Sequence, residues 1–314
     1  MELLADAPPS PVDGRGGLTV GLYGGRMSGS PSRTLPRWRG RRRRWHYAAA
    51  GGEGIMVGAA VAHLGYAAAA FCWAVLDDEL LTWEDRSLFG RGARVGLEPA
   101  SSASWRRREA ALVLRETGGI ALDVPTDRGR LRARVSADSG LPVTLVTGTP
   151  GGGWNTTEKC AGYRATGSVA IGSHERRLQG GGWRDWTLGR QDAHTRWLWA
   201  AGAGRAGGRE VGFNLSTGMN AAGPGENVVW WDGVPSPLDA SAITPGGDRW
   251  ALHGPGWELG FAPMAERAAD ERLGPFISSY VQPIGVFTGT LPGPDGAPVE
   301  VLLHGVTEDH EARW

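Results

Sequence analysis

The chain has 314 residues and a formal net charge of zero. This balance excludes the strong global attraction to phosphates that is typical of nucleic-acid-binding proteins, so no nucleic-acid partner is predicted. Hydrophobic residues make up 41% of the sequence, which is enough for a folded core and argues against global disorder.

The N-terminal segment, residues 1–35, is rich in Gly, Pro and Ser and is predicted to be an irregular arm. Its start contains acids and prolines where a signal peptide would need a basic start and an apolar run. The two cysteines, Cys72 and Cys160, do not make a disulfide framework and are expected to be reduced thiols. These features predict a cytoplasmic protein.

The segment Ile55–Leu76 is largely apolar and could be read as a membrane span. A span needs about 20 strongly apolar residues, whereas this segment is mostly Ala and Gly, with His63 near its centre and charged Asp77 directly after it. We therefore expect two buried strands that turn near His63, and no integral membrane association.

Further along the chain, short apolar or alternating runs are separated by Gly, Pro, Asn and Asp. Helix signals are scarce, and the best of them is the short run Met264–Leu273. Many short strands at this spacing favour a sandwich or a barrel. The runs predicted to be strands include Ala110–Leu114, Leu131–Val135, Val143–Val146, Val211–Leu215, Val228–Trp231 and Val299–Leu303.

Three short runs of the first half recur in the same order in the second half. Arg44–Ala49 resembles Arg196–Ala201, Val57–Val61 resembles Val211–Leu215, and Trp83–Asp85 resembles Trp231–Gly233. Each match alone is weak, but three collinear matches favour an internal duplication. The duplication predicts two β domains, residues 36–175 and 176–314, after the arm of residues 1–35.

Longer motifs connect the chain to a known family. In the second half they are Asp185–Gly189, Thr195–Ala200, Val211–Leu215, Glu226–Gly233, Gln282–Gly289 and Glu308–Trp314, and in the first half Arg44–Tyr47 and Gly65–Tyr66. On these residues the chain resembles the bacterial family called domain of unknown function 2804 (DUF2804). The resemblance covers nearly the whole chain after about residue 11.

The resemblance implies an all-β fold of two tandem lipocalin-like β-barrel or sandwich halves. The family is similar, at a distance, to the group that contains carotenoid 1,2-hydratase and some cyclases of terpenoid or polyketide chains. It supplies no catalytic residues to transfer to this sequence, and no cofactor is predicted. A fold of this kind hosts many functions, so function has to be argued from the site.

The strand that contains Trp197 and Trp199 is predicted to form one wall of an apolar cavity in the second half. Alternate residues of a strand share a face, so the two indole rings lie together; a packed tryptophan core is the alternative. Polar residues beside apolar strands would orient the ligand, or would instead cap turns. The predicted ligand contacts are Trp197, Trp199, Trp230 and Trp231, with Asn214, Glu226 and Gln282 as the polar groups.

Three residues are candidates for catalysis. Glu308 and His310 lie two positions apart on one strand face and could orient each other as acid and base; a terminal salt-bridge cluster with Arg313 is the alternative. A buried, protonated Asp185 could donate a proton to a double bond. No Cys or His spacing provides converging zinc ligands, so no metal site is predicted.

Three functions remain open from the sequence. The first is a binder of a hydrophobic small molecule, lipid-like or isoprenoid-like. The second is a hydratase, isomerase or cyclase that acts on an unsaturated substrate through a buried carboxylic acid. The third is a structural or protein-interaction role. A buried ionisable side chain that faces a cavity would favour the enzyme, and the lack of a ligand-sized cavity would favour the third function.

Overall fold

A computed structural model describes residues 4–29, 42–99, 101–138, 140–220, 225–239, 242–247, 249–273 and 276–313. These residues form 22 β-strands in two antiparallel sheets. Within the described ranges, no helix is long and apolar enough to cross a membrane. The all-β prediction is therefore confirmed.

The first sheet contains 13 strands, in the order β5-β4-β3-β2-β13-β12-β10-β9-β8-β7-β6, with β11 pairing to β12 and β1 to β11. The strands are β1 (Gly21–Gly24), β2 (Arg43–Gly52), β3 (Ile55–His63), β4 (Ala67–Leu76), β5 (Glu79–Leu88), β6 (Ala93–Val95), β7 (Ala103–Arg107), β8 (Ala110–Leu114), β9 (Ile120–Thr126), β10 (Gly129–Ala137), β11 (Val143–Gly148), β12 (Trp154–Ile171) and β13 (His174–Arg190).

The second sheet contains nine strands, in the order β17-β16-β15-β14-β22-β21-β20-β19-β18. The strands are β14 (His194–Ala206), β15 (Arg209–Gly218), β16 (Val228–Trp231), β17 (Val234–Pro237), β18 (Ala242–Thr244), β19 (Trp250–Gly254), β20 (Trp257–Leu273), β21 (Phe276–Pro292) and β22 (Pro298–Arg313). The chain passes between sheets after β13, so the sheet boundary lies downstream of the domain boundary expected at residue 175.

Alternating sequence patterns explain the strands. In β10, Leu131, Ala133 and Val135 are buried while Arg132 and Arg134 are exposed, as expected for a strand with one face on a core. The six runs predicted to be strands all lie within strands of the structure.

Two segments with ambiguous sequence patterns are also strands. Ile55–Leu76 forms the β3–β4 hairpin, as expected from its small residues and the central His63. The run Met264–Leu273, the best of the scarce helix signals, is not a helix but the second part of β20. It pairs with β21 along its length, and this pairing overrides a weak local preference.

The two sheets repeat the same strand order around β2 and β14, which supports the duplication. If Trp45 is matched to Trp197, the hairpin registers match Val57 to Phe213. The expected match of Val57 to Val211 is therefore wrong by two residues, because the second hairpin is longer. The match of Trp83 to Trp231 is also wrong, since the two residues lie in β5 and β16, which are not equivalent strands.

The two sheets share an apolar layer in addition to their own cores. Tyr47 and Trp183 of the first sheet pack in one buried cluster with Trp199 of the second. Nearby, a Cβ added at Gly212 would lie 2.2 Å from the backbone nitrogen of Gly162. Glycine at both positions allows this close approach of the two backbones, which brings β12 of the first sheet against β15 of the second, next to the site described below.

Candidate functional site

A cavity of about 160 Å³ lies between the two sheets. Its aromatic wall comes from both halves of the chain: Trp45, Tyr47 and Phe71 from the first, and Trp197, Trp199 and Tyr280 from the second. The cavity therefore lies between the halves. The sequence had predicted a cavity inside the second half. The two duplicated halves each supply the same central strand, β2 or β14, to the wall.

The first half of the structure, which is the 13-stranded sheet that ends with β13, contributes a charged cluster centred on Asp185. Lys159 Nζ lies 2.9 Å from Asp185 Oδ2 and 3.5 Å from Glu226 Oε1. Trp45 Nε1 donates to Asp185 Oδ2 at 2.9 Å, and Thr187 Oγ1 donates to Oδ1 at 3.1 Å. Asp185 therefore has one cation and two neutral donors as partners, and its role as a proton donor stays a prediction.

The second half contributes a cluster centred on Glu308. Trp197 Nε1 donates to Glu308 Oε1 at 2.8 Å, and Gln282 Nε2 donates to Oε2 at 2.6 Å. His310 Nδ1 lies 3.3 Å from Glu308 Oε1, while Nε2 lies 2.9 Å from Ser278 Oγ. The carboxylate and Ser278 together fix the orientation of the imidazole ring.

These two clusters occupy equivalent positions of the duplicated sheets. Trp45 stands opposite Thr187 across β2 and β13, as Trp197 stands opposite His310 across β14 and β22. Each tryptophan donates to the carboxylate two residues before its opposite residue. Lys159 pairs with Asp185, and the register of β21 with β22 places Gln282 opposite Glu308. The duplication has therefore kept the tryptophan–carboxylate pair and changed its neighbours.

A third charged group, Arg267, lies on β20 in the cavity wall. Its Nη1 donates to Gln282 Oε1 at 3.0 Å, and its Nη2 donates to Tyr280 Oη at 2.9 Å. The guanidinium carbon lies 3.9 Å from the centre of the Phe71 ring. The guanidinium is thus held between aromatic rings and neutral hydrogen-bond partners.

The surroundings keep two of these groups charged near neutral pH. Burial alone would lower the pKa of Lys159, but the adjacent Asp185 and Glu226 carboxylates outweigh it and raise the pKa. Burial alone would raise the pKa of Glu308, but hydrogen bonds from His310 and Trp197, with the charges of His310 and Arg267, lower it below its usual value. The wall therefore carries fixed charges within an otherwise aromatic cavity.

The model of the family described as domain of unknown function DUF2804 matches residues 12–314. The chain belongs to the DUF2804 family. No curated protein matches the chain.

Two solved structures have the same fold as this DUF2804 chain. One is an AttH-like protein from Nitrosomonas europaea, with a TM-score of 0.53 and 13% identity, covering 87% of this chain and 95% of its own. The other is kievitone hydratase from Nectria haematococca, with a TM-score of 0.52 and 10% identity, covering 98% of both chains. Both are lipocalin-like tandem barrels, so the predicted fold class is confirmed and the comparison extends no further than the fold.

The structure places most of the predicted site residues of this DUF2804 protein at the cavity. Six line its wall: Trp197, Trp199, Glu226, Asp185, Glu308 and His310. Asn214 and Gln282 support the wall from behind: Asn214 Oδ1 accepts from Trp199 Nε1 at 2.8 Å, and Gln282 joins Arg267 to Glu308. Their roles in ligand binding or catalysis stay predictions.

Two predicted wall residues lie elsewhere. Trp230 packs in the layer between the sheets, and its Nε1 donates to the Leu141 carbonyl at 2.8 Å. Trp231 lies in the core of the second sheet and donates to the Pro292 carbonyl at 2.9 Å. Adjacent residues of a strand point to opposite faces, so the two indoles belong to different cores.

Sequence reasoning missed the two cations of the wall and its first-half residues. Lys159 is the only lysine of the chain, a signal that could have singled it out. Arg267 lies within Met264–Leu273, and the weak helix signal of this run concealed its position on a strand face. The sequence analysis uses Trp45 and Tyr47 only for the repeat and the family motif, although their alternation resembles that of Trp197 and Trp199.

Proposed function

We propose that this protein binds a largely apolar small molecule in the cavity between its two halves. The observation that carries the proposal is the aromatic wall supplied by both sheets, with a small number of fixed polar groups. Ligand sites combine these features, and a cavity of roughly 150 Å³ holds a benzene ring. The cavity therefore suits one ring or one isoprenoid-sized unit, and its presence argues against a purely structural role.

The tryptophan residues support this proposal by being fixed before a ligand arrives. Trp197 and Trp199 each use their indole N–H on a partner within the protein, Glu308 and Asn214 respectively. Trp199 also packs edge-on against Tyr47 at a centroid distance of 5.3 Å. A wall whose rotamers are already fixed loses little entropy on binding, which increases affinity.

A cavity-blocking variant tests the binding function. Ala62 is a small residue of the wall, and Ala62→Trp would fill the cavity without removing a core contact. Ala111→Trp is the matched control. Ala111 is half-buried on the face of β8 that points away from the core, and it does not line the cavity. We expect mass spectrometry to detect a small molecule that co-purifies with wild type and Ala111→Trp but not with Ala62→Trp. Equal recovery from all three proteins would contradict the proposal.

A second candidate function is proton transfer to the bound molecule, as in a hydratase or isomerase. The observation that favours it is the Glu308–His310 contact of 3.3 Å in the cavity wall. Glu308 would exchange a proton with the ligand, while His310 and Gln282 would orient its carboxylate. The shared fold with kievitone hydratase is compatible with this chemistry.

Deuterium incorporation separates the enzyme from the binder. Wild type, Glu308→Gln and Ala62→Trp would be incubated in heavy water with a metabolite extract, followed by mass spectrometry. If the protein is an enzyme of this kind, a metabolite gains deuterium by exchange or by the addition of one heavy water with wild type, but not with either variant. If Glu308→Gln retains the co-purifying ligand and wild type labels nothing, the protein is a binder.

A further inference from the structure

Arg267 is a buried cation of the cavity wall that forms no ion pair with any described residue. It is 7% exposed, yet its hydrogen bonds go to the neutral groups of Gln282 and Tyr280. The other buried cations near the site differ: Lys159 contacts two carboxylates, and Arg184 contacts Glu158 at 2.6 Å. A buried charge without a counter-charge is costly, so an arginine in this setting calls for a partner.

Within the described residues, no carboxylate lies within ion-pairing distance of the Arg267 guanidinium. Gln282 stands between Arg267 and Glu308, accepting from the guanidinium at 3.0 Å and donating to the carboxylate at 2.6 Å. A guanidinium has five N–H donors, and the two hydrogen bonds within the described residues use two of them. Phe71, with its ring centre 3.9 Å from the guanidinium carbon, restricts the orientation of the guanidinium. The remaining donors are therefore preorganised at the cavity wall.

We infer that the ligand of this cavity is an amphipathic acid whose carboxylate binds Arg267 while its apolar body contacts the tryptophan wall. The inference deepens the proposed binding function and rests on it. A planar carboxylate matches the fork of a guanidinium, which allows paired, charge-assisted hydrogen bonds. The Tyr280 hydroxyl, which accepts from Arg267, keeps its own proton available as a further donor.

The net charge of the wall makes this inference easy to test. The wall contains the carboxylates of Asp185, Glu226 and Glu308 against the cations Lys159 and Arg267. Without a specific anchor, this excess of negative charge would favour a neutral ligand over an acid of the same shape. A preference for the acid therefore requires the Arg267 contact.

The test compares benzoate with benzamide, two single-ring probes of nearly equal shape that differ in charge. Binding to wild-type protein is measured by isothermal titration and by quenching of tryptophan fluorescence. Because hydrogen bonds between charged groups are stronger than neutral ones, we expect the acid to bind about tenfold more tightly or better. Ala62→Trp should weaken the binding of both probes, and this result would locate their binding site in the cavity.

Variants at position 267 test whether Arg267 causes the preference for the acid. Arg267→Gln should remove the preference for the acid and leave the affinity for the amide within about twofold, while Arg267→Lys should retain part of the preference because it keeps the charge without the fork. Arg196→Gln, which removes an exposed arginine paired with Asp309, should change neither affinity.

The outcomes separate this inference from the binding function. If both probes bind in the cavity and wild type or Arg267→Lys prefers the amide or binds both equally, the inference is wrong and the binding function stands. If Arg267→Gln folds and keeps the acid preference, the inference is also wrong. If neither probe binds to wild type, the binding function fails and this inference fails with it.

Discussion

Trp45 and Asp185 in the first half occupy the same strand positions as Trp197 and Glu308 in the second, but the two carboxylates have different partners. Asp185 contacts Lys159, a cation on the adjacent strand. Glu308 has Gln282 at the equivalent position and His310 beside it. In the second half, the cation is one strand further away.

That displaced cation is Arg267, which stands opposite Gln282, whereas Val143 stands opposite Lys159 in the first half. The difference shows how a duplicated site can diverge. The first half neutralises its carboxylate within the protein and so stabilises the contact between the sheets. The second half separates its acid from its cation by a neutral amide, which leaves both available to a ligand.

Exchanging Lys159, the residue next to Asp185, should have the largest effect on the free energy of unfolding. Lys159→Gln gives the first half the residue of the second and leaves Asp185 and Glu226 without their cation. Removing one partner of a buried charge pair costs about 3–5 kcal/mol. We expect a loss of this size in the free energy of unfolding, measured by urea denaturation at neutral pH.

The reverse exchange, Gln282→Lys, is the matched comparison. It adds a cation that contacts Glu308 but also repels Arg267, so its effect on stability should be smaller than that of Lys159→Gln. A gain in stability for Gln282→Lys would show that Glu308 depends on an adjacent cation as Asp185 does, and the proposed divergence of the clusters would be wrong.

A second difference between the halves lies at His46, whose equivalent in β14 is Leu198. Burial, with a smaller effect from Arg184, lowers the pKa of His46 from 6.5 to about 4. The folded protein therefore keeps this imidazole neutral, while the unfolded chain takes up a proton below pH 6.5. Its contribution to stability is fully present above pH 6.5 and is lost as the pH falls towards 4.

The variant His46→Leu copies the second half and should remove this pH dependence. A pKa difference of this size corresponds to a loss of about 3 kcal/mol in wild type over that interval. Because His46 Nε2 has no hydrogen-bond partner within the described residues, leucine leaves no new polar group unsatisfied on that side. Urea denaturation at several pH values between 4 and 6.5 measures the slope, and an unchanged slope in the variant would refute the assignment.

The two equivalent tryptophans, Trp45 and Trp197, should differ by a smaller amount in their contribution to stability. Trp197→Phe removes the indole donor to Glu308, and hydrogen bonds to charged groups contribute about 1.5–3 kcal/mol. Trp45→Phe removes the equivalent donor to Asp185, which keeps the charged Lys159. We expect the larger loss of thermal stability for Trp197→Phe. A larger loss for Trp45→Phe would mean that Lys159 does not compensate Asp185.

These comparisons also show why the sequence predicted the fold better than the site. The alternation of apolar and polar residues and the turn residues between runs predicted the strands, because both signals are local in the sequence. The strand β10 is an example. The nearness of Glu308 and His310 was also predictable, since residues two apart share one face of a strand. Lys159 and Asp185 meet only because β12 pairs with β13 in one register, and a single sequence does not specify which strands pair.

The repeat illustrates the same limit. The match of Trp45 to Trp197 agreed with the strand order, but Trp83 and Trp231 lie on strands that are not equivalent. The sequence therefore indicated a duplication and gave no information on how the two halves pack. The cavity lies between the halves, and so its position depended on that packing.

The smallest expected effect concerns the acid limb of the stability curve. The pKa of Glu308 is lower in the folded protein than its usual value of 4.5, because His310 and Trp197 favour the charged form. Its contribution to stability is therefore fully present above pH 4.5 and is lost as the pH falls through the lowered value. Glu308→Gln has no such titration, so its stability should fall less steeply than that of wild type below pH 4.5. The slope is the quantity to compare, because glutamine also changes the hydrogen bonds to Gln282 and shifts the whole curve. If wild type and Glu308→Gln have the same slope, the surroundings do not favour the ionised form of Glu308, and its use as a proton acceptor for a bound ligand would have to be reconsidered.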